Sequence, residues 1–550
     1  MHQSRLLSAL LTSLALLASG CSVGSASSTA ADSSGSAQMP SASAGSHDAT
    51  GDKSIAVYAC EPKSLTSTNV NEPCGQDTIT FLYTPLVQID DAFNPVFGDQ
   101  YPDTAASAIE TSDDLKTITI TLKDGWTFHN GEPMDADSFI RAWTYGANPK
   151  NAQENLDFYR HIEGFDDVQN GSTTELSGLK AIDPRTIQVT LKTPFAPFVG
   201  SLVHTAFFPM PKAALEDLDA YNERPIGNGP FKMADSWQHD RSIDMVAFED
   251  YKGKRPDVRR VTNRIYENTT TAYNDLLAGN LDIIEELPFE LADSYETDLG
   301  DHVVVLPATT LNYLGLPVTK APFDDKRIRQ ALAMAIDRKT IAKAIWRDTM
   351  APADDYVNPR VGGYREGACT YCEYNPEEAK KLFDEAGGID GPLEVWFNSG
   401  AGHEVWVEAV ANDWKKNLGI DDVTFKTLNT SDYYQKIDSG EYTGPYRRSW
   451  SADYPSMENY LSPLMGTGSE KNNSGYSNPA FDALLEQGNG AATLEEAKQL
   501  YQQADDLALE DMPLIPVSFG KKYSGTSERI SGYDLDFNGR IKITEVMVKE

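Results

Sequence analysis

The chain has 550 residues, with 82 acidic against 47 basic side chains and a formal net charge of −35. A surface that acidic repels nucleic acid and anionic lipid headgroups, so binders driven by electrostatic attraction to either are excluded. The length exceeds what one hydrophobic core organises and argues for two or more lobes, while 25 Tyr, 21 Phe and 8 Trp are ample for large cores and aromatic-lined pockets.

The N-terminus has a positive end at Arg5, an apolar run from Leu6 to Leu17, and Ala18-Ser19-Gly20 in front of Cys21. That is the cleavage pattern of a signal peptide over residues 1–20, and a cysteine at the first mature position resembles the lipobox of a bacterial lipoprotein of actinobacterial type. Ala18 stands where lipoboxes more often carry Leu. A membrane-spanning anchor needs about 20 continuous apolar residues, and Thr12, Ser13 and Ser19 interrupt this stretch. Removing the leader with Arg5 takes the charge from −35 to −36. Residues 21–52 are almost entirely Ala, Ser, Gly, Thr and Asp, with one proline and no Phe, Tyr or Trp. Such a segment cannot bury enough apolar surface to offset its ordering entropy and is expected to be a disordered tether. Lipidation of Cys21 would hold the protein on the outer face of the cytoplasmic membrane.

Beyond Lys53 the pattern alternates strands and helices with turn punctuation, as in α/β lobes. Ser54 to Ala59 reads as a first strand. Lys116 to Lys123 places Ile118, Ile120 and Leu122 on one face and ends at the turn dipeptide Asp124-Gly125. Pro133 to Tyr145 reads as a helix with Asp135 as N-cap and Phe139, Ile140 and Trp143 on its apolar face. Arg185 to Leu191 is another strand. Asp325 to Ile345 reads as a long amphipathic helix or two joined at Asp337, and Pro376 to Ala386 as a shorter one stopped by Gly387-Gly388. No repeat of 20 to 50 residues marks a solenoid or propeller.

With Cys21 assigned to lipid, four cysteines remain in two local pairs, Cys60 with Cys74 and Cys369 with Cys372. Outside the cytoplasm an even count is read first as disulfides. A C-x-x-C such as Cys369-Thr370-Tyr371-Cys372 also suits half a zinc site or redox work, but the chain has no second such pair and no H-x3-5-H.

Enzyme motifs are mostly missing. His403-Glu404 is followed by Glu408 where a metalloprotease needs a second histidine, and there is no P-loop and no G-x-G-x-x-G. The one G-x-S-x-G arrangement straddles Cys21 and cannot be a nucleophile elbow. Asp534, Asp536, Asn538, Gly539 and Glu545 satisfy the spacing of an EF-hand calcium loop, yet Ser524 to Tyr533 has no helical period, so the segment is read as a terminal strand and turn. No metal site and no cofactor are expected.

Four longer segments carry a positive signal. Residues 115–139 read LKTITITLKDGWTFHNGEPMDADSF, and Gly227-Asn228-Gly229-Pro230-Phe231 is followed by Tyr251-Lys252-Gly253 and Ala278-Gly279-Asn280-Leu281-Asp282. Arg327 to Arg338 reads RIRQALAMAIDR, and Trp450 to Pro455 reads WSADYP. In order and spacing these resemble the solute-binding proteins of oligopeptide and dipeptide ABC transporters, extracellular solute-binding protein family 5. Leu65-Thr66-Ser67 departs from the L-D-P that many members carry.

The resemblance implies a two-lobed, hinged α/β fold of the periplasmic-binding-protein type (type II) with an extra subdomain in the first lobe. Residues 53–89, 221–307 and 517–550 would build the first lobe, 90–220 its extra subdomain, and 308–516 the second lobe. It implies a monomeric binder, not an enzyme, that captures a peptide between the lobes and delivers it to ABC permease subunits. Asp453 of W-x-A-D-Y would pair with the ligand's α-ammonium, because a cation buried in a closed cleft needs a fixed carboxylate. Trp450 and Tyr454 would wall the same pocket, and Arg447 could meet a ligand carboxylate bidentately or lie solvated on the surface. Rival expectations are a binder of another solute (sugar, nickel or haem) and an exported hydrolase.

Overall fold

The structure, a computed structural model, describes residues 53–399 and 402–549. The leader, Cys21 and the tether lie outside the described residues, which begin in one compact unit spanning Asp48–Glu550.

Two long strands organise the molecule. Val303–Gly315 and Leu514–Thr526 run antiparallel along their whole length and pass from one hydrophobic core to another. Because both belong to two cores, a single ladder of strands threads the protein. Its order is Val423–Leu428, Leu393–Asn398, Tyr446–Ser451, Val303–Gly315, Leu514–Thr526, Ile283–Ile284, Ser54–Ala59, Arg260–Ile265, Ser242–Ala247 and Phe231–Met233. The register of the two crossing strands slips between Pro307 and Leu311, opposite Lys521 and Phe519. Gly520 sits in that gap, and a Cβ there would lie 3.2 Å from Thr310 Cβ and 3.3 Å from Ala308 Cβ. The irregular stretch is where the two strands can bend.

On one side of the bend, helices pack on the ladder around Leu311, Leu314, Ile328, Trp414, Tyr460 and Phe519. On the other, Ile55, Val57, Leu82, Phe231, Ile243 and Val261 form the first lobe's core. A separate antiparallel sheet, Ala106–Thr111, Thr117–Leu122, Thr186–Thr190 and Leu179–Asp183 in that spatial order, covers a third core with the helix Ala136–Ala147.

The first strand spans Ser54–Ala59, and the alternating segment spans Thr117–Leu122 with Ile118, Ile120 and Leu122 buried. Asp135 caps the helix Ala136–Ala147 in a reciprocal capping box with Ser138. The segment after Asp325 is two helices, Lys326–Met334 and Arg338–Ala344, because Asp337 leaves helical geometry and accepts from Thr340 N as the second N-cap. Arg338, only 3% exposed, then donates to the carbonyls of Pro516, Ala333 and Cys372 at 2.7–2.9 Å, fastening the second helix to the crossing strand.

Both cysteine pairs are bonded, Cys60 to Cys74 and Cys369 to Cys372, with Cα separations of 5.1 and 5.2 Å. The EF-hand look-alike is a turn closed by a bridge between Leu535 and Ile541. Its carboxylates have separate protein partners: Asp534 pairs with Lys542, Glu545 with Lys254, and Asp536 accepts the backbone N–H groups of Asn538 and Arg540.

Candidate functional site

Strand Tyr446–Ser451 is held in the second lobe by antiparallel pairing with the crossing strand, Arg447 opposite Leu314 and Trp450 opposite Leu311. At Ser451 the chain leaves the ladder. Asn459 pins the departing turn, its side-chain oxygen accepting from Asp453 N at 2.8 Å and its amide donating to Asp453 Oδ2 at 3.4 Å. Asp453 is partly buried and, among the described residues, forms no ion pair. Burial pushes its carboxyl up to about 6, against the hydrogen bond from Asn459 and the fields of Arg540 and Arg160. A carboxylate stripped of water without a cation beside it is a poor ground state and a good receptor for an ammonium group.

Trp450 is half-buried against the second lobe's core, and its indole N–H donates to the Asn459 carbonyl at 2.6 Å. Tyr454 points the other way. Its hydroxyl donates to the buried Glu458 at 2.6 Å, and its ring, 5% exposed, meets Phe195 of the subdomain edge-on at 6.5 Å. Tyr454 therefore packs between lobes. Arg447 is 7% exposed, which removes the solvated-surface alternative. Its Nη1 donates to Tyr434 Oη at 3.2 Å and its Nη2 to Ser449 Oγ at 3.3 Å; among the described residues Nε has no partner and no carboxylate pairs with it.

His403, which the sequence presents only as part of a failed zinc motif, opens the helix His403–Leu418 within the field of Arg447. Burial, helped by that guanidinium, holds its imidazole down at about 4, so it is neutral at physiological pH. The first lobe contributes residues that no motif marks. Arg540 donates to Gln76 and lies 3.7 Å from Asp77, and the neutral His204, held down at about 3 by burial, stacks on Phe158 with ring centroids 3.8 Å apart.

The chemistry is dipolar. Arg447 lies six residues before Asp453 in the chain, four of those steps along the extended strand Tyr446–Ser451 and the last two in the turn that follows it. Ser449 and Ser451 supply hydroxyls between them, the latter sharing a 2.7 Å hydrogen bond with Thr310. A ligand with an amine at one end, a carboxylate at the other and polar backbone between would find a partner for each. A cavity of about 460 Å³ opens between the subdomain and the second lobe, lined by Phe93, Phe97 and Phe198 on one side and Tyr454, Met457 and Tyr501 on the other; of the four expected site residues it brings in Tyr454, and Arg447, Trp450 and Asp453 do not line it.

Comparison with known proteins agrees with the two-lobed fold. Residues 99–472 match the family described as bacterial extracellular solute-binding proteins, family 5 Middle. The chain is 26% identical over 500 residues to the oligopeptide-binding protein OppA of Bacillus subtilis, covering 88% of this chain and 90% of that protein. It is 29% identical over 452 residues to heme-binding protein A of Haemophilus influenzae, covering 78% and 80%. Among solved structures, the unliganded open form of the murein tripeptide-binding protein MppA superposes with a TM-score of 0.78 at 24% identity, covering 91% of this chain and 98% of that one. Haemophilus influenzae OppA in complex with the peptide RPPGFSPFR gives 0.71 at 23% identity, covering 91% and 99%.

Proposed function

Because the chain belongs to the bacterial extracellular solute-binding proteins of family 5, we propose that it is a peptide-capturing subunit of an ABC importer. It binds short peptides between its lobes, Asp453 taking the α-ammonium and Arg447 the carboxylate, and presents them to the permease. It returns the ligand unchanged, as a binder and not an enzyme. Cys21 carries the lipid that tethers it to the outer face of the cytoplasmic membrane, and it works as a monomer. The observation that carries the reading is Asp453, a desolvated carboxylate that forms no ion pair among the described residues, in the turn that the W-x-A-D-Y resemblance marks.

Calorimetry with tetra-alanine tests it. N-acetylation of the peptide and Asp453→Asn should each weaken binding by about 2–5 kcal/mol, the usual cost of truncating a buried charge pair. Combined, they should cost much less than their sum, because both delete one interaction. Additive losses, or no loss on acetylation, sink the assignment. The similarity to heme-binding protein A favours a second reading, a non-peptide solute, which native mass spectrometry of gently purified protein would reveal as a co-purified ligand.

A further inference from the structure

The calcium-loop look-alike at the C-terminus belongs to both lobes. Leu535 and Ile541 bridge to each other within the first lobe's core. Phe537, at the tip between them, joins the second lobe's core, is 5% exposed, and meets Phe93 of the subdomain edge-on with ring centroids 6.4 Å apart. Arg360 of the second lobe donates through Nη2 to the carbonyls of Asp536 at 3.0 Å and Phe537 at 3.1 Å, gripping the tip by its backbone.

The tip is rigid and its base is anchored. Asp536 Oδ1 accepts from the N–H groups of Asn538 and Arg540, both at 2.9 Å, and Asp536 N donates to the Arg540 carbonyl at 2.8 Å. Gly539, at φ +75°, supplies the left-handed step, and its carbonyl accepts from Lys522 Nζ at 2.5 Å. Lys522 stands on the crossing strand opposite Leu306 and also pairs with the buried Glu285 at 3.2 Å. The acidic spacing that imitates a calcium site thus builds a stiff turn, referenced to the hinge and aimed across the cleft.

We propose that residues 535–541 are a latch that holds the two lobes closed, with Phe537 as the bolt and Arg360 as the catch. The inference rests on the fold alone and does not depend on which solute is bound. Opening about the bend near Gly520 would part the Phe537 ring from the second lobe's core, leaving it only Phe93, and strip Arg360 of two carbonyls. Losing the burial of one Phe ring lowers the closed-to-open ratio about thirtyfold, which is about 2 kcal/mol at 1.4 kcal/mol per factor of ten.

Closure can be read without any ligand by disulfide trapping. A Cβ on Gly490 of the second lobe would lie 3.9 Å from Pro194 Cβ of the subdomain, within disulfide range. In a full-length Pro194→Cys/Gly490→Cys background under mild oxidant, Phe537→Ala should slow trapping severalfold or more, and Phe537→Leu should restore most of the rate. Arg360→Met, which keeps the side-chain length and deletes the donors, should slow it too and serves if Phe537→Ala does not fold. Circular dichroism should show both folded variants unchanged. Trapping at the parental rate in the folded variants, or no trapping in the parent, overturns the latch.

Discussion

Asp453→Asn should stabilise the unliganded protein, and only at neutral pH. A carboxyl raised from 3.8 to about 6 in the folded state is one that the fold prefers protonated. The sign follows from linkage. Below pH 3.8 the group is protonated folded and unfolded and contributes nothing, whereas above pH 6 it is ionised in both and the folded protein bears the whole cost. At 1.36 kcal/mol per factor of ten in the acid constant, that cost is about 3 kcal/mol. Asparagine keeps the shape, can still meet Asn459 and carries no charge. Divided by an unfolding entropy of ~2.1 cal/mol/K for each of roughly 500 ordered residues, the gain corresponds to a midpoint about 3 °C higher at pH 7.5. At pH 3.5 the two midpoints should coincide. Differential scanning calorimetry at both pH values decides it: a variant less stable at pH 7.5, or offset equally at both, refutes the claim that burial outweighs Asn459, Arg540 and Arg160 at Asp453. The stability sacrificed at this residue would then be the expected trade of a binding site against the fold.

Binding of tetra-alanine should weaken about tenfold per pH unit below pH 6, as Asp453 takes up its proton and ceases to attract an ammonium; titration calorimetry from pH 4.5 to 7.5 reads this, and a flat profile contradicts the role of Asp453. Arg447→Met should weaken binding of the free-acid peptide and leave the C-terminal amide nearly unaffected, a contrast lost if Arg447 only supports Tyr434 and Ser449. Arg338→Ala should destabilise the protein by at least about 3 kcal/mol, because three buried carbonyls lose a charged donor, and chemical denaturation measures it. Cys21→Ser should release the protein to the medium; persistence in the membrane fraction would rule out the lipid anchor.

What the sequence determined by itself is local, or carried by runs of residues that resemble a family. The alternation of Thr117–Leu122 marks a strand because one face must be apolar, and Asp135 and Asp337 mark helix starts because their side chains can reach N–H groups two or three residues on. The cysteine pairs lie 14 and 3 residues apart, close enough for an even count to suggest the bonding that the structure has. WSADYP drew attention to Asp453, though it said nothing of Tyr454 turning toward the subdomain or of Arg447 being buried. Those facts depend on which strands become neighbours, and Val303–Gly315 meets Leu514–Thr526 across about 200 residues of chain whose hydrophobic pattern carries no partner label. Arg540 influences Asp453, and Phe537 enters the second lobe's core, only because the C-terminal turn 535–541 is folded against both lobes. The spacing D-x-D-x-N-G fits a calcium loop and a stiff turn equally well, since both use aspartate oxygens and a left-handed glycine. Only the tertiary structure, by giving those oxygens to Asn538, Arg540 and Lys542, decided which one it is.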